Sequence, residues 1–316
     1  QTVAAGKPFV KVELGGGTFY FRPQNNVVLE AGSRYKYTVK VNTTGLTLEG
    51  CTIGSWVDGG GESGEAKDLG YIYDSNTNTY TVYNADGLMN VAELVNGGKT
   101  DINITLDKNI DLTGKDWTPI GTDYDNAYTG TFDGGGHTIT GLTVTTNDEY
   151  AGLFGWLNRA GTVKNVVMEG VQITSHQIYG GSIGGVVGSG WGTIENCSVS
   201  GSVSGTVYVG GVVGVQIGGS ITGCSSSATV KGMVDVGGVA GQTNSGATMA
   251  ACYATGNVII EMDPKKNIAG GSLVGMNAGS SLLACYATGN VTSTGSSTGN
   301  VHIGGFFGDN YTSVTA

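Results

Sequence analysis

From Gly152 onward the chain repeats one pattern, a pair of apolar residues held between glycines. It reads GLFG (152–155), GGVVG (184–188), GGVVG (210–214), GGVAG (237–241), GSLVG (271–275) and GGFFG (304–308). The closing glycines Gly155, Gly188, Gly214, Gly241, Gly275 and Gly308 are 33, 26, 27, 34 and 33 residues apart, a spacing typical of solenoids. After each of the first five copies a polar turn leads into a second apolar segment: TVKNVVMEG (162–170), TIENCSVSG (193–201), SITGCSSSATV (220–230), MAACYATGNV (249–258) and LLACYATGNV (282–291). Aligned this way, Val166, Cys197, Cys224, Cys252 and Cys285 share one position.

The apolar segments are short, rich in Val, Ile and Thr, and bounded by Gly, Asn and Ser, which predicts strands. None leaves room for a crossover helix. Units built of short strands and glycine turns bury their apolar faces by coiling, each coil adding one strand to each parallel sheet at about 4.8 Å per rung. The expected fold is therefore all-β, a parallel β-helix of glycine-rich repeats, right-handed by the general bias of crossover connections. Glycine suits its corners, where φ is positive and neighbouring coils approach closely. The aligned cysteines are expected to stack inward as small hydrophobes.

Residues 100–121 and 130–144 show the same strand-length alternation cut by Gly and Asp, and read as the first coils. Before them lies a helical pattern, 86–96, with Asp86 as the expected cap, Leu88, Val91, Ala92 and Val95 on one face and Gly97 as the stop. A solenoid's first coil exposes core and strand edges, so this helix is expected to lie across that end. Upstream, GTFYF (17–21), NVVLEAG (26–32) and RYKYTVKVN (34–42) alternate as half-exposed antiparallel strands do, and 45–66 reads as a glycine-rich loop. The expected organisation is an antiparallel β-sandwich-like module over 1–78 and a capped solenoid over 79–316, with repeats at 151–308. After Gly308 the chain stops half a repeat on, at YTSVTA, which suggests a trimmed chain, a self-associating end or a cap from another segment.

Composition narrows the possibilities. With 58 Gly and 4 Pro, no G-X-Y period and 39% hydrophobic residues, collagen and disorder are excluded. A net charge of −10 makes nucleic acid and anionic membrane surfaces poor partners. No apolar stretch reaches the roughly 18 residues of a membrane span, and Gln1–Lys7 lacks the order of a signal peptide, so the chain reads as mature or trimmed. Five cysteines without a C-x-x-C spacing argue against a zinc site.

Candidate chemistry is sparse. Gly180–Gly184 spells G-x-S-x-G around Ser182, but the repeat of glycines explains it without a nucleophile elbow. Gly59, Gly61 and Gly64 spell G-x-G-x-x-G with no helix behind them. His137, His176 and His302 fall in different coils, as turn or surface residues. A glycosidase needs converging carboxylates, whereas Glu169, Glu195, Asp235, Glu261, Asp263 and Asp309 lie scattered at non-equivalent repeat positions. Residues 101–150 instead hold nine acids against two lysines. There Asp123 and Asp125 are candidate calcium ligands, set against a merely solvated acidic face. Trp156, Tyr179, Trp191 and Tyr208 stand at or near turns. Outward, they would form a platform for sugar rings or a protein partner; inward, they are core.

Two resemblances follow. AGSRYKYTVKVNTTGLTLEGCTIGSWVDGG (31–60) resembles the carboxy-terminal portion of fimbrillin-like (Mfa-like) domains of surface proteins in Bacteroides-type bacteria. The repeated G-G-hydrophobic-hydrophobic-G followed by a strand and ATGNV resembles the GLUG motif, found in tandem in bacterial surface proteins, adhesins and non-catalytic parts of some secreted peptidases. FDGGGHTITGL (132–142) is similar to the coil that opens such arrays. These resemblances imply an extracellular, cell-surface or outer-membrane protein. They imply a non-enzymatic adhesin-like role without a cofactor, with host or matrix glycans or proteins, or other fimbrial subunits, as partners. They bring no catalytic residues. The competing readings are a filament subunit that assembles by strand addition and a carbohydrate-active enzyme whose carboxylates from 101–150 converge in one cleft.

Overall fold

The computed structural model describes residues 2–14, 17–23, 25–28, 35–42, 45–53, 64–67 and 69–311. From Thr79 to Tyr311 the chain is a parallel β-solenoid with one helix, as the repeat predicts. Each complete coil visits four sheets in turn. One coil runs through Thr193–Glu195, Ser198–Ser204, Tyr208–Gly210 and Val213–Gln216. The first belongs to a nine-stranded wide sheet and the second to an eleven-stranded long sheet; the last two belong to six-stranded sheets that we call incoming and outgoing. The long sheet shifts register once, between Met168 and Val171, whereas within the wide sheet the coils stack position on position, through Ile104, Phe132, Val163, Ile194, Ile221, Met249 and Leu282. All of these except Leu282 are fully or almost fully buried, so one apolar residue per coil fills the core at each ladder position.

The glycine motif is the bend between the incoming and outgoing sheets. There the backbone of one coil is laid directly on the backbone of the coil before it. A Cβ on Gly214 would lie 2.4 Å from the amide nitrogen of Ile183, and one on Gly275 2.4 Å from that of Val236, distances no side chain tolerates. In the copy at 271–275, Ser272 takes the place of the second glycine rather than adding a residue, because Gly271 pairs with Gly237 and Val274 with Ala240. Its hydroxyl donates to the Gly289 carbonyl at 2.8 Å. In the copy at 152–155, Ala151 pairs with Ile183 and Phe154 with Val187, so this bend is one residue shorter than the others.

The aligned column faces the core. Val166, Cys197, Cys224 and Cys252 are at most 1% exposed, and the thiols are free. Cys197, Cys224 and Cys252 each donate to the carbonyl two residues back, of Glu195, Thr222 and Ala250. Hydrogen bonding from Cys224 in the stack, with burial, pushes the Cys252 thiol up to about 12. The residue before each column position turns the corner at positive φ: Asn165, Asn196, Gly223, Ala251 and Ala284.

The helix spans Ala85–Asn96 and buries Leu88, Val91, Ala92 and Val95 against the first coils. Its cap is Asn84, not Asp86. The Asn84 side chain accepts from the Gly87 amide at 2.8 Å, while Asp86 in the first turn pairs with Lys115 at 2.9 Å, a favourable place for a carboxylate. The hairpin Tyr71–Asp74 and Thr79–Val82 ends the wide sheet beside it. Upstream, Val10–Leu14 pairs antiparallel with Gly17–Phe21, Thr2–Val3 with Val27–Val28, and Tyr35–Asn42 with Gly45–Ile53. The expected loop at 45–66 is thus a nine-residue strand in its first part and, at Gly64–Lys67, a third strand of the same sheet. The alternating Thr and Leu of GLTLEG favours pairing over a loop. Gly59 and Gly61 lie outside the described residues, as does the end at 312–316.

Candidate functional site

The bend creates two columns of side chains that point away from the core. On the incoming sheet, Ala151, Ile183, Val209 and Val236 face inward, so their neighbours Tyr150, Ser182, Tyr208, Asp235, Ala269 and His302 form the opposite column. On the outgoing sheet the residue after each closing glycine forms the other: Trp156, Ser189, Val215, Gln242, Met276 and Asp309. The columns meet across the bend. The rings of Tyr150 and Trp156 stand 4.6 Å apart at one end, and at the other His302 Nδ1 lies 2.9 Å from Asp309 Oδ2.

The first end is an aromatic patch. Trp156 is 7% exposed and has edge-to-face contacts with three rings: Tyr150, Tyr124 at 5.8 Å and Trp191 at 5.5 Å. Tyr124 also meets Trp191 at 5.7 Å and is itself 60% exposed. Such arrangements are the favoured geometry for aromatic pairs. Trp191 reaches Trp156 because it follows the outgoing strand of the next coil, where its amide donates to the Leu157 carbonyl. The Trp156 indole Nε1 is buried with no acceptor, an uncompensated donor under the patch. The Tyr150 hydroxyl donates to Glu149 at 2.7 Å.

Of the four aromatic candidates, then, the structure brings Trp156 and Trp191 together and adds Tyr124 and Tyr150. Tyr208 stands two rungs along the Tyr150 column, and Tyr179 is 76% exposed in the preceding loop. Tyr124 is legible only as an aromatic among the acidic loops of 101–150, with nothing to tie it to Trp156, and Tyr150, which opens the strand Tyr150–Ala151, was missed. Tyr150 could have been found as the residue two before an opening glycine, the position that also yields Tyr208, Asp235 and His302.

Asp123 anchors its own turn. Its carboxylate accepts from the amides of Asp125 and Asn126, the Asn126 side chain and the Thr122 hydroxyl. The Asn126 amide above all holds it below the usual carboxylate range. Several neighbouring acids are likewise locally engaged: Asp111 accepts from Thr113, Asp133 pairs with Lys164 at 3.3 Å, and Asp148 accepts from Thr146. Among the described residues no three or more His, Cys, Asp or Glu side chains gather to hold a metal ion. Ser182 of the G-x-S-x-G match opens the strand Ser182–Gly184 and is 4% exposed. No helix follows that strand, so an elbow does not form.

Residues 1–56 match the Fimbrillin-like family, and 179–204 and 205–231 each match the GLUG motif. The chain carries fimbrillin-like and GLUG sequence. The two GLUG matches contain the bends at 184–188 and 210–214 and the turns into Cys197 and Cys224. Over 161 residues the chain is 34% identical to halomucin of Haloquadratum walsbyi, covering 48% of this chain and 2% of halomucin. Over 131 residues it is 34% identical to a "Putative Gly-rich membrane protein" of Evansella cellulosilytica, covering 39% of this chain and 14% of that protein. The chain thus spans a small part of the length of either relative. Its fold is similar to a crystal structure titled "a putative immunoglobulin A1 protease from Bacteroides ovatus", with a TM-score of 0.55 and 23% identity, covering 72% of this chain and 83% of that one. Among the described residues no helix is long and apolar enough to cross a membrane.

Proposed function

We propose that this GLUG-containing chain is a non-enzymatic, adhesin-like protein of the bacterial cell surface, from a Bacteroides-type organism. In this reading the solenoid is a rigid rod that holds the aromatic patch out to glycans of a host or matrix. The observation that carries it is the Tyr124, Tyr150, Trp156 and Trp191 cluster, in which an exposed ring lies over a buried indole donor without a partner. Sugar rings stack on aromatic faces, and the exposed Tyr124 ring presents one at the surface. Tyr208 and Tyr179 are secondary contacts along the same side. The Asp123 carboxylate is taken up by its own turn, so calcium has no part in this reading. The fold shared with the Bacteroides ovatus protein says nothing about catalysis.

A second reading is a fimbria-associated structural subunit that assembles by strand addition. The fimbrillin-like match over 1–56 favours it. Binding of the whole chain to an array of glycans and matrix proteins separates the two. A saturable glycan hit supports the adhesin-like reading. A blank array beside a concentration-dependent extended species in solution supports the subunit.

A further inference from the structure

At the far end of the same two columns, a cavity of about 230 Å³ opens between the incoming and outgoing sheets. Asp235, Asn267, Met276, Asn300, His302 and Asp309 line it. The two acids in it differ in their surroundings. Asp309 accepts from His302 Nδ1 at 2.9 Å and from the Tyr311 hydroxyl, and these contacts help hold it below the usual carboxylate range. Asp235 is 94% buried by its 6% exposure, and among the described residues no donor reaches its carboxyl. Burial first, and then Asp309, push it up to about 7. The Asp235 carboxyl is not among the fully enclosed polar groups without a partner, so it opens on the cavity it lines, where a ligand carrying donors can reach it.

A ligand complementary to Asp235 in this cavity brings N–H donors and positive charge. A metal ion fits poorly: Asp235, His302 and Asp309 share the cavity, but His302 is committed to Asp309, and among the described residues no three such side chains are placed to hold a metal ion together. An ammonium fits: its donors suit the Asp235 carboxylate first, with Asn267 and Asn300 beside it in the lining, although Asn267 Oδ1 already accepts from the Asn300 amide at 3.0 Å. The apolar wall of Ile268, Ala269 and Met276 suits an alkyl stem. We propose that this cavity binds a primary ammonium on an alkyl stem, as carried by a lysine side chain or a free polyamine, with Asp235 as its counter-ion. The site is separate from the aromatic patch and does not depend on what that patch binds.

Calorimetric titration of the whole chain at pH 7.5 tests it with three probes: N-acetyl-lysine methylamide, 1,4-diaminobutane and the uncharged N-acetyl-norleucine methylamide. Saturable binding of at least one amine, absent for norleucine and weakened at least tenfold in Asp235→Asn, is the expected result. Preference for the lysine amide assigns the site to a protein-borne ammonium, and preference for the diamine to a free polyamine. Circular dichroism checks that the variant is folded. If it is not, the ¹³C carboxyl resonance of Asp235 in the wild-type chain must shift when the amine is added. The proposal is overturned if neither amine binds, if norleucine binds as well as lysine, if a folded Asp235→Asn variant retains binding, or if the resonance stays put.

Discussion

Each complete coil turns two distinctive corners, and they impose opposite demands. At the glycine bend the space for a side chain is already filled by backbone: a Cβ on Gly241 would lie 2.6 Å from the Val209 amide nitrogen and 2.7 Å from the Gly214 carbonyl. At the cysteine corner there is a slot of defined size, filled by Val166 in one coil and by Cys197, Cys224 and Cys252 in the next three. At its closing glycine the first corner constrains the backbone, so one residue type stands there in all six copies. The second constrains volume and polarity, so Val and Cys exchange. The difference also shows why the bend carries the sites. By forcing two sheets into contact it sets two columns side by side, and residues far apart in sequence become neighbours.

The comparison can be broken most severely at the bend. Gly241→Val is expected to cost more than about 4 kcal/mol or to prevent folding, since the clash is with backbone. Gly305→Ala, where nothing lies within 4 Å, is expected to change stability by less than about 0.5 kcal/mol. Denaturant unfolding of the two variants checks both.

Next in size is a pH effect at the outer column. The carboxyl of Asp235, raised to about 7 in the fold, sits near 3.9 in the unfolded chain. Below pH 4 it is protonated in both states and contributes nothing. As the pH rises toward 7 the unfolded chain gives up its proton first, so the native state loses stability, by at most about 4 kcal/mol, and the loss levels off above 7. Stability curves of the wild type and Asp235→Asn should therefore diverge between pH 4 and 7. Parallel curves would count against the buried, unpartnered carboxyl.

Smaller effects belong to the cysteine corner. Cys224→Val is expected to cost less than about 1.5 kcal/mol, because Val already fits that slot in another coil. One residue before Cys252, Ala251 turns the corner at φ 52°, where Asn is tolerated far better than Ala. Asn165 and Asn196 hold that place in earlier coils. Ala251→Asn is expected to stabilise by about 0.5 kcal/mol, read as a rise in melting temperature.

The contrast also explains what could be read in the sequence. The glycine bend, the cysteine column and the apolar face of the helix were legible because each is set by the backbone or by a local period. The helix cap was not, because Asn84 and Asp86 are both good caps by type. In the fold Asn84 accepts from the Gly87 amide, while Asp86 pairs with Lys115, 29 residues away, a contact no local pattern announces. Asp235 and Asp309 look scattered along the chain, and so does His302. They converge because the first and last fall two places before an opening glycine and Asp309 falls one place after a closing one. Trp156 was legible as an aromatic near a turn, whereas its partner Tyr124 comes from a loop outside the repeat.

The central functional claim rests on that patch, and the most direct test is glycan binding by the whole chain against a Tyr124→Ala, Trp191→Ala double variant. Both residues lie over Trp156 at the surface of the rod, so their removal should leave most of the core packing in place. The account predicts that the variant keeps a cooperative melt and loses at least tenfold in affinity for whichever glycan the wild type binds. Undiminished glycan binding by the folded variant would contradict it.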